Sequence, residues 1–243
     1  MTGMGNERRG MGKGRTTTPS SITHSASLPP IGLLGGTFDP IHLGHLRLAE
    51  EMAEVLNIGQ VRFIPAGQPP HRGQPRASTA QRLDMVQRAV AGNPRFLLDA
   101  REIEKNAPSY SVETLAELRA ELPKNTPLVL FMGGDAFLGL SSWHEWRRIF
   151  DLAHIAVAHR PGYSLASWED ALPDPLRTLL STRRCEQAAE IAENPAGRIF
   201  LHTITQLDIS ASQIRHRALR GLSLRYLLPD SVIDYINENR LYV

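Results

Sequence analysis

Past Pro30 the chain alternates short apolar runs with longer stretches in which apolar residues recur every three or four positions. The runs Ile31–Leu34, Val61–Pro65, Arg95–Asp99, Leu128–Met132, His154–Ala158 and Arg198–Thr203 are expected as strands, because each is brief and nearly continuous in apolar character. Between them, Leu46, Ala49, Met52, Ala53 and Leu56 make one helical stripe. Leu83, Val86 and Val90 suggest a second, and Leu115, Leu118 and Leu122 a third. Strands alternating with helices predict right-handed βαβ units, hence an α/β protein with a Rossmann-like, doubly wound parallel sheet. From about Ser210 the pattern turns all-helical: Ser212–Leu219, then Gly221 as a stop, then Pro229–Asn239. A small C-terminal helical extension beside the sheet is expected over residues 210–243.

Residues 1–30 carry Gly, Ser, Thr, Arg and Pro with almost no large apolar side chain. Such a stretch buries too little surface to offset its ordering entropy, so a disordered tail, or an upstream start codon chosen in error, is expected. It lacks both the apolar centre of a secretory signal and the amphipathic pattern of a transit peptide. One domain over residues 31–243 follows. The 243 residues, 42% of them hydrophobic, supply a sizeable core, yet no apolar run approaches a membrane span. Cys185 is the only cysteine, which rules out an internal disulfide and suits a cytoplasmic setting. A net charge of +2 without a dense basic run in the folded part argues against nucleic acid as a partner. The oligomeric state has no signature in the pattern.

The first strand runs into Gly35-Gly36 and the fourth into Gly133-Gly134-Asp135. In the strand order 3-2-1-4-5 these two ends are neighbours where the order reverses, the place where open parallel sheets bind ligands. Glycine there lets backbone N–H groups approach a ligand, although it is common in any βα turn. No G-x-x-x-x-G-K-[ST] is present, and no G-x-G-x-x-G follows the first strand, so neither a P-loop nor a bound redox dinucleotide is expected.

His42 and His45 stand three residues apart at the start of the first long helix, where both can face one side. A helix N-terminus offers N–H groups and positive potential to a polyphosphate. Gly44 between them permits close approach. Zinc ligation is an alternative, but it needs a third protein ligand and only Asp39 is near. An ordinary polar pair beside a turn is another. Farther on, Ser210 or Ser212 can cap a helix whose first turn bears Arg215, a fork suited to phosphate. Taken alone, that segment reads better as an ordinary capped surface helix.

The run Gly36-Thr37-Phe38-Asp39-Pro40-Ile41-His42-Leu43-Gly44-His45 resembles the signature of the H-x-G-H nucleotidyltransferase superfamily. Its second signature, I-S-x-[ST]-x-[IV]-R, resembles Ile209-Ser210-Ala211-Ser212-Gln213-Ile214-Arg215, with Ala211 where Ser is commonest. Within the superfamily the chain most resembles the bacterial nicotinate-nucleotide adenylyltransferase family. Gln68-Pro69-Pro70-His71-Arg72 is similar to that family's P-P-H-[KR] loop, and Tyr110-Ser111-Val112-Glu113-Thr114-Leu115 to its Y-[TS]-x-x-T-L element. Gly133-Gly134-Asp135 with Trp143 resembles its G-x-D…W segment, and Leu224–Pro229 with Val232, Tyr235 and Ile236 its C-terminal region. The resemblance runs from Ile31 to Val243.

The resemblance implies adenylyl transfer from ATP to nicotinate mononucleotide, with Mg²⁺ accompanying ATP and no metal held by the protein alone. It implies His42, His45 and Arg215 as catalytic groups. Gly35, Gly36, Thr37, Phe38, Gly133, Asp135, Ile209 and Ser210 would meet ATP. Arg72, Tyr110, Ser111, Thr114 and Trp143 would meet the mononucleotide, Trp143 by stacking on the pyridine ring. Ser111 and Thr114 would turn N–H groups toward the nicotinate carboxylate, or else merely cap a helix. Trp146 rivals Trp143 by position, whereas His144, His154 and His202 are expected to be structural. Other outcomes are a sister enzyme acting on nicotinamide mononucleotide or pantetheine phosphate, and a non-catalytic nucleotide sensor.

Overall fold

A computed structural model describes residues 1–3, 28–69, 73–105, 107–159, 165–205 and 207–243. The elements run β1 (Ile31–Gly36), α1 (Leu43–Val55), β2 (Gln60–Pro65), α2 (Thr79–Val90), β3 (Phe96–Leu98), α3 (Arg101–Glu104), α4 (Ser111–Glu121), β4 (Leu128–Gly133) and α5 (Gly134–Leu138). There follow α6 (Ile149–Leu152), β5 (His154–His159), α7 (Leu165–Asp170), α8 (Asp174–Arg183), β6 (Arg184–Cys185), β7 (Ile199–Thr203), α9 (Ala211–Leu219) and α10 (Asp230–Glu238). Among the described residues the strands form one seven-stranded sheet in the order β3-β2-β1-β4-β5-β7-β6. Every neighbouring pair is parallel.

Alternation along the strands builds two apolar layers. Leu34, Phe63, Phe131 and Ala156 point into a core shared with Met52 of α1, Met85 and Val86 of α2, Ile214 of α9 and Val232 of α10. Leu33, Ile64, Leu130 and Val157 point the other way, toward Leu115 and Leu118 of α4, Ile149 of α6 and Leu176 of α8. The sheet is therefore covered on both faces, as its nearly continuous apolar strands require. No helix among the described residues is long and apolar enough to cross a membrane.

Two expectations shift. β1 and β4 reach one residue or two farther than their apolar runs, so Gly35 and Gly36 end β1 and Gly133 ends β4. On α2 the fully buried stripe is Arg82, Met85, Val86 and Val90, one position round from the stripe expected through Leu83. A guanidinium thus lies in the apolar layer, 1% exposed.

The crevice follows from the hydrogen bonding. β1 stays paired with β2 to Gly36↔Pro65, but with β4 only to Leu33↔Leu130. Beyond that point β1 and β4 part at their carboxyl ends, at the place where the strand order reverses. The C-terminal helices pack over α2: the Tyr235 hydroxyl donates to Asp84 Oδ2 at 2.9 Å and the Ser231 hydroxyl to the Arg88 carbonyl at 3.3 Å.

Candidate active site

The turn Thr37–Ile41 carries the chain from the crevice edge of β1 into α1. Phe38 has a left-handed backbone, φ 49°, and buries its ring, 2% exposed. Its side chain therefore belongs to the core, leaving the backbone to face a ligand. The ring meets the His45 imidazole edge-on with centroids 5.1 Å apart.

His42 caps α1 in an extended conformation, φ −148° and ψ 170°. Its backbone N–H donates to His45 Nδ1 at 3.2 Å. An accepting Nδ1 leaves the proton of a neutral His45 on Nε2. The two rings stack with centroids 3.7 Å apart. Burial lowers the pKa of His42 to about 4, so that imidazole is neutral near pH 7. Its Nδ1 is buried with no hydrogen-bond partner among the described residues, which suits a ligand atom. A Cβ on Gly44 would lie 3.0 Å from that Nδ1, and it would also touch the Ile209 carbonyl at 3.8 Å. Only glycine leaves the His42 ring its place. The Leu43 N–H is occupied, donating to the Leu227 carbonyl at 3.0 Å, which narrows the expected set of open N–H groups at this helix start.

Arg215 arrives from α9. Ser210 caps that helix, its hydroxyl accepting from the Gln213 N–H at 3.2 Å, while Ile209 packs against the core. One turn in, Arg215 Nη1 donates to the Asp39 carbonyl at 2.7 Å. The two signature segments, far apart in sequence, thus meet at the turn after β1. The opposite lip of the crevice is Gly133 and the exposed Asp135 at the start of α5.

The second half of the site lies at the start of α4. The Tyr110 ring sits 4.5 Å from that of His144, which brings Tyr110 and Ser111 beside the Trp143 loop. Trp143 is half-buried, whereas Trp146 is 8% exposed and packs edge-on to Phe150. That separates the two tryptophans: Trp146 is core and Trp143 lies beside the α4 start. Thr114 departs from expectation. Its N–H donates to the Tyr110 carbonyl at 3.2 Å and its hydroxyl to the buried Glu102 at 2.6 Å. Neither group remains for a carboxylate, so Thr114 anchors the helix start. The backbone N–H groups of Ser111 and Val112 precede the helical bonding and have no partner among the described residues. Burial raises the pKa of Glu102.

The loop after β2 is tied to the same place. Gly67 N–H donates to the Ser109 hydroxyl at 2.9 Å, and Gln68 bridges to Pro108. A Cβ at Gly67 would fall 2.2 Å from the Glu102 carbonyl, so no other residue fits there without backbone movement. Arg72, expected farther along this loop, lies outside the described residues.

Asp39, Arg82 and Tyr242, none of them given a role at the site from the sequence, complete it. Asp39, 6% exposed, accepts from the Arg76 and Ala77 N–H groups at 2.9 and 3.1 Å and from the Tyr242 hydroxyl at 2.8 Å. Arg82 donates to the Thr37 carbonyl at 2.7 Å and the Gly67 carbonyl at 3.2 Å, linking the two loops that flank the crevice. His144, expected to be structural, instead presents an exposed ring on Tyr110. His154 is structural as expected, fully buried between the Asn194 carbonyl and the Arg198 N–H. Arg82 had one signal in the sequence, helical spacing with Met85 and Val86 on an apolar face; Tyr242 had none.

Comparison with known proteins agrees with this arrangement. Residues 33–217 match the cytidylyltransferase-like family. A relative from Dechloromonas aromatica (strain RCB), carrying the name "Probable nicotinate-nucleotide adenylyltransferase", is 54% identical over 88% of this chain and 97% of its own. A relative of the same name from Acidithiobacillus ferrooxidans is 47% identical over 90% of this chain and 98% of its own. Among solved structures, the nicotinic acid mononucleotide adenylyltransferase of Plasmodium falciparum, complexed with NaAD, shares the fold with a TM-score of 0.65 at 16% identity, over 88% of this chain and 97% of that one. The crevice, the paired histidines and the extent of these matches make this chain a nucleotidyltransferase that belongs to the nicotinate-nucleotide adenylyltransferase family.

Proposed function

We propose that this chain moves the adenylyl group of ATP onto nicotinate mononucleotide, giving nicotinate adenine dinucleotide and pyrophosphate, as a step of NAD biosynthesis. The observation that carries the residue roles is the meeting of His42, His45 and Arg215 around one turn at the crevice. The mononucleotide's phosphate oxygen attacks the α-phosphorus of ATP in line with the departing pyrophosphate. A phosphate monoester is largely dianionic at neutral pH, so no general base is needed. Catalysis rests on positioning and on stabilising the charge that grows on the α-phosphate and leaving group.

His45 donates from Nε2, since its Nδ1 is engaged by the His42 N–H. His42 is neutral when free, and nearby phosphate charge would raise its pKa from about 4. Arg215 offers the rest of its fork to the same phosphates, and backbone groups of Gly35, Gly36, Thr37 and Phe38 line the path. Gly133 and Asp135 would meet the adenosine side, Asp135 accepting from ribose hydroxyls, with Ile209 and Ser210 on the far lip. Both Asp39 oxygens are engaged by protein donors. Mg²⁺ would accompany the triphosphate, where it would supply positive charge to the leaving pyrophosphate.

For the acceptor, Trp143 offers a flat face to the pyridine ring beside Tyr110. The open N–H groups of Ser111 and Val112 at the start of α4 favour a carboxylate over a neutral carboxamide. Arg72 is proposed to meet the mononucleotide from the loop after β2. A single buried thiol, Cys185, with its pKa raised to about 11, suits a cytoplasmic enzyme.

Pyrophosphate release from ATP, measured side by side with nicotinate mononucleotide, nicotinamide mononucleotide and pantetheine phosphate, tests this function. Nicotinate mononucleotide is expected to give the highest kcat/KM. Preference for either other acceptor overturns the assignment of the acceptor, and ATP binding without pyrophosphate release overturns catalysis.

A further inference from the structure

Asp39 sits between two groups that compete for it. Its carboxylate is held by three donors: the Arg76 N–H on Oδ2, and the Ala77 N–H and Tyr242 hydroxyl on Oδ1. Its carbonyl accepts from Arg215 Nη1 at 2.7 Å, while the nearer carboxylate oxygen stays 3.8 Å from the same nitrogen. The carboxylate therefore pairs with Arg215 only at ion-pair distance and falls short of a hydrogen bond. The backbone oxygen takes one N–H of the guanidinium, and the carboxylate is held back from taking another.

We propose that Tyr242 is a positioning residue for nucleotidyl transfer, whose hydroxyl restrains the Asp39 carboxylate so that Arg215 keeps its fork and its charge for phosphate. Tyr242 is 7% exposed and lies in the core against α1 and α2 residues, with Met85 Sδ 4.0 Å from its oxygen. Neither ring nor hydroxyl can reorient cheaply in such packing. Burial and the adjoining carboxylate drive its ionisation far upward, so the hydroxyl remains a donor throughout the working pH range. Arg82, 1% exposed, steadies the same turn from beneath through the Thr37 carbonyl. Without the hydroxyl, Oδ1 keeps only the Ala77 N–H and the carboxylate can swing onto Arg215. That contact would satisfy the guanidinium internally and draw it off the crevice.

The inference rests on the role given to Arg215 above, and the test separates the two. Pyrophosphate release and thermal unfolding are measured for Tyr242→Phe, Arg215→Ala, the double variant and Tyr235→Phe. Tyr235 serves as the control because its hydroxyl also donates to a carboxylate, Asp84 at 2.9 Å, away from the turn. Tyr242→Phe is expected to lower kcat about tenfold or more, as a displaced catalytic cation does, with KM for the mononucleotide unchanged. Tyr235→Phe is expected to shift the unfolding temperature comparably and leave kcat alone. In the Arg215→Ala background Tyr242→Phe is expected to cost nothing further, because it acts through that side chain. Wild-type kcat in Tyr242→Phe, an equal loss in the Arg215→Ala background, or an equal loss in Tyr235→Phe overturns the proposal while leaving the role of Arg215 intact. Near-normal turnover of Arg215→Ala overturns both.

Discussion

The His42 backbone N–H donates to His45 Nδ1, and the two imidazoles stack at 3.7 Å. The first residue of the pair thereby sets the tautomer of the second. With Nδ1 accepting, the proton of a neutral His45 sits on Nε2, and in the proposed mechanism that N–H is the donor to phosphate. His45→Ala is expected to lower kcat by roughly a hundredfold or more, the scale seen when a donor to developing charge is removed. The change in KM for ATP should be smaller. Steady-state kinetics decide it, and near-normal turnover would remove His45 from the mechanism.

His42 should report ligand charge directly. Burial alone places its pKa at about 4, and no acidic partner opposes that shift. Bound pyrophosphate brings negative charge to a desolvated imidazole, which should raise the pKa by about one to three units. Imidazole chemical shifts followed through a pH titration, with and without pyrophosphate, measure it. A midpoint that does not move would place the phosphates elsewhere.

Trp143 and Trp146 are expected to fail in different ways. Trp143→Ala should raise KM for nicotinate mononucleotide about tenfold or more through lost aromatic contact, with little change in thermal stability. Trp146→Ala empties a core position and should cost about 3–5 kcal/mol of stability. Exchanged phenotypes would mean that the pyridine ring meets Trp146.

Stability should depend on pH through His154. Its Nδ1 accepts from the Arg198 N–H at 3.0 Å, and burial lowers its pKa to about 4 from an ordinary 6.5. A histidine buried neutral favours the fold fully above pH 6.5, and that contribution is lost as pH falls toward 4. The loss is at most about 3 kcal/mol. Denaturant unfolding of the wild type and His154→Gln at pH 7, 6, 5 and 4 should therefore show the gap between them closing by up to that amount. A gap independent of pH would contradict a neutral, buried His154.

The parallel sheet was legible because its strands are apolar on both faces and its helices keep a clear 3.6-residue period. The order through β5 and the crevice between β1 and β4 followed from that. β6, only Arg184–Cys185, escaped because two edge residues have no period to read. α3, α5 and α6 escaped for the same reason: four or five residues show barely one turn. In the site, the closeness of His42 and His45 was legible from their spacing, whereas Arg215 was picked out only by its segment's resemblance to the second signature. Thr114 was misjudged because its hydroxyl is spent on Glu102, which comes from a different element. The role of Arg82 was not legible, since nothing local shows that two loop carbonyls converge on it. Contacts of this kind depend on topology, and a linear pattern does not hold them.

The hydrogen bond between Asp39 and Tyr242 joins positions 203 residues apart. At synthesis rates of about 5–20 residues per second, the turn after β1 leaves the ribosome roughly 10–40 s before its partner is made. Until then the Asp39 carboxylate lacks one of its three donors, and Arg215 is itself synthesised late. A nascent chain can therefore build β1, α1 and β2 early, yet has no finished crevice to offer ATP. On the roles proposed for Arg215 and Tyr242, competence for nucleotidyl transfer would arrive only with the last helices.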